Sequence, residues 1–254
     1  MILYSGPSLI DGSPIVAIAT GGSKNPKTGD MLQVWILRAD LSPVEAARTG
    51  ADAAICGTCQ LRPLAVAARR AAGEPEGARC YVTLIHGPRS VFDKYSRGGY
   101  ETAITPDARR RVGAGRMVRL GAYGDPSAVP AIVWRQLLAD AVGHTGYTHQ
   151  WSTRGNAALT RNLRAMRPLV MASVETIADA ERAQQAGWRT FRVRPAPAPG
   201  DRMPGERICP ASAEAGHKVQ CIDCRACAGT DGRASPGIAI IDHGPGSRAT
   251  RRAA

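Results

Sequence analysis

The chain has 254 residues, 44% of them apolar and 5% aromatic, and a formal net charge of +12. That apolar content supports a real core, enough for one large domain or two small ones, and argues against a disordered chain. No apolar run approaches the roughly 18 residues that cross a bilayer, and residues 1–13 lack the basic start and long apolar stretch of a secretion signal, so no membrane partner is expected.

The positive charge is mostly arginine, dispersed along the chain and denser at Arg248, Arg251 and Arg252. Such an excess attracts polyanions, which makes nucleic acid or a nucleotide an expected partner. The seven cysteines then belong to a reducing cytoplasm, where clustered thiols act as metal ligands rather than disulfides.

Taken in order, residues 15–19 and 31–37 read as strands joined by a hairpin-like loop over 21–30. That loop lacks the Gly-Lys-Ser/Thr ending of a phosphate loop, and its Lys24 and Lys27 read as solvated turn residues that can touch an anion. Ser42-Pro-Val-Glu45 is a helix start running to about 49, with proline at the first helical position and glutamate three after the cap. A short helix is expected over 63–72, a strand or loop over 80–85, and helices over 91–99 and 105–111. The spacing then predicts a strand at 117–120 and an amphipathic helix at 130–142, with Ile132, Val133, Leu137 and Val142 on one face. Next come a strand at 144–149, a helix at 156–166, a strand at 168–174, a helix at 177–186 and a strand at 188–193. Residues 195–204 are too rich in proline and glycine for an element. A strand at 237–241 precedes a basic tail.

The alternation of strands and helices between 117 and 194 implies parallel strands with right-handed crossovers. The fold expected is α/β: a full or partial (β/α) barrel over 1–194, a cysteine-rich metal module over 195–230, and a short strand and tail over 231–254. A doubly wound open sheet is the alternative.

Two cysteine sets carry the chemistry. Cys221, Cys224 and Cys227, spaced C-x-x-C-x-x-C, bring their sulfurs toward one centre, and Cys209 can complete four thiolates for zinc or an iron–sulfur cluster. Cys56-Gly-Thr-Cys59 with Cys80 forms a second set. It suits a cluster with one iron left open to a small-molecule chelate, or a zinc completed by a histidine such as His86, or a group of unbound thiols.

Residues at the C-terminal ends of parallel strands outline a ligand pocket in such folds. Here these are Gly121, Gly124 and Asp125, then Tyr147, Thr148 and His149, then Ser173 and Glu175. Asp125 reads equally as a ligand acceptor or as the cap of a tight turn. Glu175 reads more readily as a carboxylate favoured at a helix start, and His149 as a loop histidine.

Taken together, Cys56-Gly-Thr-Cys59, Cys80-Tyr81, Gly124-Asp125, Tyr147-Thr148-His149, Ser173-Val174-Glu175, Ile208-Cys209-Pro210 and Cys221-x-x-Cys224-x-x-Cys227 resemble the phage "gene product 88" family. They are also similar to phage proteins distantly related to radical S-adenosylmethionine barrels. The resemblance spans about residues 20–230. It implies a barrel carrying iron–sulfur sites, in the cytoplasm of a phage-infected bacterium. On it, Cys56, Cys59 and Cys80 hold a 4Fe–4S cluster, while Gly121, Gly124, Asp125 and Ser173 position S-adenosylmethionine. Glu175, His149 and Tyr147 are the catalytic candidates, with a small-molecule ligand in the pocket and a nucleotide or nucleic acid as the substrate that the basic surface suits. Cys209, Cys221, Cys224 and Cys227 hold an auxiliary cluster or a structural zinc. The rival reading is a non-enzymatic zinc protein that binds nucleic acid.

Overall fold

A computed structural model describes residues 1–22, 25–74, 79–154, 156–194, 202–230 and 237–242. The protein is a mixed α/β molecule built on one nine-stranded, mostly parallel sheet in the order β1-β2-β3-β4-β5-β6-β7-β9-β8. The strands are β1 (Ile2–Pro7), β2 (Pro14–Thr20), β3 (Leu32–Arg38), β4 (Met117–Tyr123), β5 (Gly143–Thr148), β6 (Met171–Val174), β7 (Thr190–Arg194), β8 (Glu206–Ile208) and β9 (Gly237–Ile241). β1, β2 and β3 form an antiparallel meander, and every pairing from β3 onward is parallel. Among the described residues no strand pairing joins β1 to β8, so the sheet is open.

Period-two alternation gives the sheet two different faces. Val118 and Leu120 of β4 and Ala172 and Val174 of β6 enter the main core. Met171, Tyr147, Phe191, Val193, Ile238 and Ile240 gather instead on the opposite face, with Cys209, Cys221 and Cys227. That second face carries the site.

The helices start where their caps dictate. Ser42 accepts from the Glu45 N–H at 3.2 Å to open α1 (Pro43–Thr49). Thr105 accepts from Ala108 at 3.3 Å and Asn156 from Leu159 at 2.6 Å, opening the helices Pro106–Gly113 and Ala157–Met166. Each cap side chain satisfies an N–H that the first turn leaves over.

The structure corrects several expectations. The helix expected over 130–142 ends earlier, spanning Ala131–Leu138. Its buried face is Val133, Trp134 and Leu137, while Ile132 and Val142 are exposed. Trp134 decides the rotation of this helix, because its indole N–H must find an acceptor when buried and donates to the Pro126 carbonyl at 2.9 Å. The helix expected from 91 begins at Gly87. Residues 80–85 take the loop form, with no strand. β1 and β8 have no counterpart among the elements expected from the sequence. The segments expected to form a separate metal module and a tail supply β8 and β9 to the same sheet as the rest of the chain, through five residue pairs from β9 to β7 and three from β8 to β9. Arg248, Arg251 and Arg252 lie outside the described residues, as do residues 195–201 of the expected linker. Among the described residues no helix is long and apolar enough to cross a membrane.

Candidate functional site

All seven cysteines line one cavity of about 430 Å³ on the second face of the sheet. The volume falls within the usual range of small-molecule sites. Of the other expected site residues, Gly121, Gly124, Asp125, Tyr147, His149 and Ser173 also line it. Glu175 does not; it stands beside the site, close enough for its charge to raise the Cys59 pKa.

The N-terminal thiols sit at the C-terminal ends of the strands. Cys56 closes the short helix Ala53–Cys56, and Asp125 just beyond β4 donates its N–H to the Ile55 carbonyl at 2.6 Å. Gln150, just beyond β5, donates to the Cys56 carbonyl at 3.0 Å. Cys80 arrives from another loop because its N–H donates to the Leu61 carbonyl at 3.0 Å, two residues past Cys59. The same three thiols also face a second cavity of about 410 Å³ that holds the Arg62–Asp52 ion pair. His86, the histidine considered as a fourth zinc ligand, is exposed and does not line the cavity.

Asp125 is the organiser of this rim. Its carboxylate accepts from the Ser127 N–H at 3.0 Å, the Ser127 hydroxyl at 2.8 Å, the Thr148 hydroxyl at 3.1 Å and the His149 N–H at 2.8 Å. The structure therefore favours the capping role over a ligand acceptor: one side chain ties β4 to β5. Gly121 and Gly124 serve the same turn. Both have positive φ, and a Cβ on Gly124 would stand 2.6 Å from the Ile36 carbonyl oxygen, one on Gly121 2.5 Å from that of Gly124. The close approach they permit is to the protein's own backbone.

The C-terminal thiols lie further along the same face. The helical turn Cys221–Cys224 is pinned to the β2–β3 loop, with the Cys221 N–H donating to the Lys27 carbonyl at 2.9 Å and the Ile222 N–H to Thr28 at 3.1 Å. Cys209 donates its N–H to Ala239 of β9 at 2.8 Å, and the Cys227 carbonyl accepts from Gly146 of β5 at 3.1 Å. Tyr147 packs with Cys209, Cys221 and Cys227, so it belongs with this set rather than with the rim. Arg189 fastens the end of the segment through the carbonyls of Ala226 at 3.0 Å and Gly229 at 3.1 Å.

Burial raises the pKa of Cys56, Cys59 and Cys80, and neighbouring thiols add to it at Cys56 and Cys59. Burial likewise pushes Cys227 up to about 12 and raises Cys209 and Cys221, whose ionised forms the nearby Lys27 favours. Without metal these thiols stay protonated at neutral pH, and any metal that binds them displaces protons. Among the described residues no three His, Cys, Asp or Glu side chains are gathered tightly enough to hold a metal ion as they stand. The donor chemistry fits soft metals and clusters, and closing either set requires the thiols to swing toward a common point.

His149 is held neutral. Burial lowers its pKa below the usual 6.5, against the opposing charge of Asp125, and its Nε2 has no hydrogen-bond partner among the described residues. Between the folded pKa and 6.5 the unfolded chain binds a proton that the folded chain does not. Stability should therefore fall as pH drops from about 6.5 through the folded value, and His149→Gln should remove that contribution. Urea unfolding of both proteins at several pH values checks this; parallel pH profiles would contradict it.

Three cavity residues were missed or underrated in the sequence: Lys27, Tyr81 and Arg119. Arg119 had a signal, as a charge inside the apolar stretch Met117-Val-Arg-Leu120 on a strand expected to be buried. Lys27 was read mainly as a solvated turn residue and Tyr81 only as the neighbour of Cys80, because only the folding back of their loops brings them in. No protein-family model, curated protein or solved structure matches this chain.

Proposed function

We propose that the protein is an iron–sulfur metalloprotein resembling the radical S-adenosylmethionine enzymes, with the open sheet acting as a partial (β/α) barrel. Cys56, Cys59 and Cys80 would hold the cluster at the rim, and Cys209, Cys221, Cys224 and Cys227 an auxiliary cluster or a zinc. The observation that carries this reading is the sharing of one cavity by all seven thiols with His149 and Ser173. A purely structural zinc needs no ligand-sized space, whereas a reactive cluster is useful only where a small molecule can reach it. Co-location thus favours the enzyme over a zinc protein that binds nucleic acid.

A bound cluster would supply one-electron chemistry. The chain's own residues do the rest. Asp125 and Gln150 hold the rim loops in register. His149, neutral and with a free Nε2, can take a proton from a group in the cavity. Burial raises the Glu175 pKa beside the site, which favours its proton-carrying form.

Anaerobic purification with metal analysis tests the proposal. The expected protein is brown, absorbs near about 400 nm and carries iron and sulfide, because zinc has a full d shell and no colour. A colourless protein holding zinc at both sets would leave the binding-protein reading, and one holding no metal would remove both. Replacing Cys59 with Ser should cut the iron content while leaving the C-terminal set loaded.

A further inference from the structure

We propose that the cavity binds an organic oxyanion, its carboxylate or phosphate held by Arg119 and Lys27 between the two thiol sets, its flat apolar body lying against Tyr147 and Phe191. This rests on the reading that the cavity is the functional site, and not on which metal the thiols hold.

Arg119 carries the argument. It lies on β4 facing the cavity, half-buried, where its guanidinium donates to the Tyr81 hydroxyl and stands 5.8 Å from that ring's centroid. Among the described residues it meets no carboxylate. The other arginines that enter the interior meet acids or carbonyls. Arg62 pairs with Asp52 at 2.6 Å and Arg192 with Glu206 at 2.6 Å, and Arg194 pairs with Glu214. Arg109 donates to the Leu3 carbonyl at 2.9 Å. A half-buried guanidinium hydrogen-bonded to a phenol keeps donors that face the cavity, and its planar fork is shaped to grip an oxyanion with two of them.

The surroundings agree in sign. Lys27, Arg79, Arg119 and Arg225 line the cavity against two acids, Asp125 and Asp242. Asp125 is already occupied by its own four donors. The position is informative as well. Tyr81 follows Cys80 in the chain, and Arg119 is close enough to Cys221 to favour its ionised form. The Arg119–Tyr81 pair therefore shares its cavity with both thiol sets. Tyr147 and Phe191, with ring centroids 4.3 Å apart, provide an apolar wall. A volume near 430 Å³ admits a group of about mononucleotide size or smaller.

Calorimetric titration of the as-purified protein, with its metal content measured on the same samples, tests the inference. The probes are phenyl phosphate, benzoate and the neutral benzyl alcohol. The expected result is saturable binding of at least one anion at one per chain, with benzyl alcohol at least about tenfold weaker, the value of a charge-assisted hydrogen bond or two. Which anion binds better separates a phosphate ligand from a carboxylate one. Arg119→Leu should lose about tenfold or more, and Arg119→Lys less, since it keeps the charge and loses the fork. Benzyl alcohol binding as tightly as the anions, or no anion binding at millimolar concentration, overturns the inference. So does an Arg119→Leu protein that keeps its affinity. If Arg119→Leu fails to fold by circular dichroism, the neutral probe on the unaltered protein and Arg119→Lys still decide. Anion binding by a metal-free protein would leave this inference standing and remove the proposed function. A loaded cluster without anion binding would do the reverse. If Arg119 only offsets thiolate charge, its loss changes metal content while the unaltered protein binds neither anion.

Discussion

Glu206→Gln should destabilise the protein by about 3–5 kcal/mol, the usual cost of leaving one member of a buried ion pair alone. Glu206 and Arg192 have side chains 1% and 2% exposed, joined by two hydrogen bonds of 2.9 and 2.6 Å. Glu206 also accepts from the Met203 N–H at 3.3 Å, so it fixes the entry into β8 as well as its pairing. An amide in its place keeps the shape and loses the charge that faces the buried guanidinium. For a chain of this size the melting temperature should fall by about 6–20 °C. Replacing both residues by leucine should recover much of the loss, because apolar side chains of similar volume carry no desolvation penalty. Thermal unfolding of the two variants makes the comparison. A Glu206→Gln protein within about 1 kcal/mol of the parent would show the pair to be dispensable. Cys209 lies one residue past β8, so loosened metal at the C-terminal set should accompany the lost stability.

Asp125→Ala should cost about 3 kcal/mol or more and should also misalign the rim. The side chain is 5% exposed, and its removal strands the N–H groups of Ser127 and His149 and two hydroxyls at once. Each buried donor left without an acceptor costs about 1–3 kcal/mol, with the sum reduced by water entering the space. The functional effect comes from position. The Asp125 backbone anchors Ile55 beside Cys56 while its carboxylate anchors His149, so the variant separates the first cysteine from the histidine. Asp125→Asn should fall between the two, since its amide can serve some of the donors and opposes the rest. Metal retention and melting temperature should drop together in the order Asp, Asn, Ala. If the alanine variant retained both, the rim would be held by other contacts.

Much of the fold was legible because its signals are local. Ser42, Thr105 and Asn156 announce their helices by side chains that each cap the turn immediately after them. The strand at 237–241 was placed to the residue, since five apolar or small residues between glycine-rich and polar stretches admit little else. β8 was invisible for the opposite reason: Glu206-Arg-Ile208 has no strand pattern, and it becomes one only through β9 and the Arg192 pair. The site divides in the same way. Each cysteine set could be read from its spacing. That both sets face one space could not, because it depends on the turn at Cys221 reaching back to Lys27 and Thr28 across almost the whole chain. Gly121 and Gly124 were read toward a ligand, when the nearest demand on them comes from Ile36 and from their own turn, and for Asp125 the sequence left ligand acceptor and turn cap level.

β9 lies in space between β7 and β8 although it comes after both in the chain. During synthesis, β7 therefore emerges with a bare edge and β8 with nothing to pair against. Both wait for residues 237–241 to leave the ribosome. The Cys209 N–H has its acceptor on Ala239, so the fourth thiol of the C-terminal set takes its place only at that late moment. Long-range parallel pairing of this kind is slow to form. The topology thus puts the maturation of these thiols after the synthesis of β9, and a chain stalled before β9 would expose them unprotected to the oxidants and metals of its surroundings.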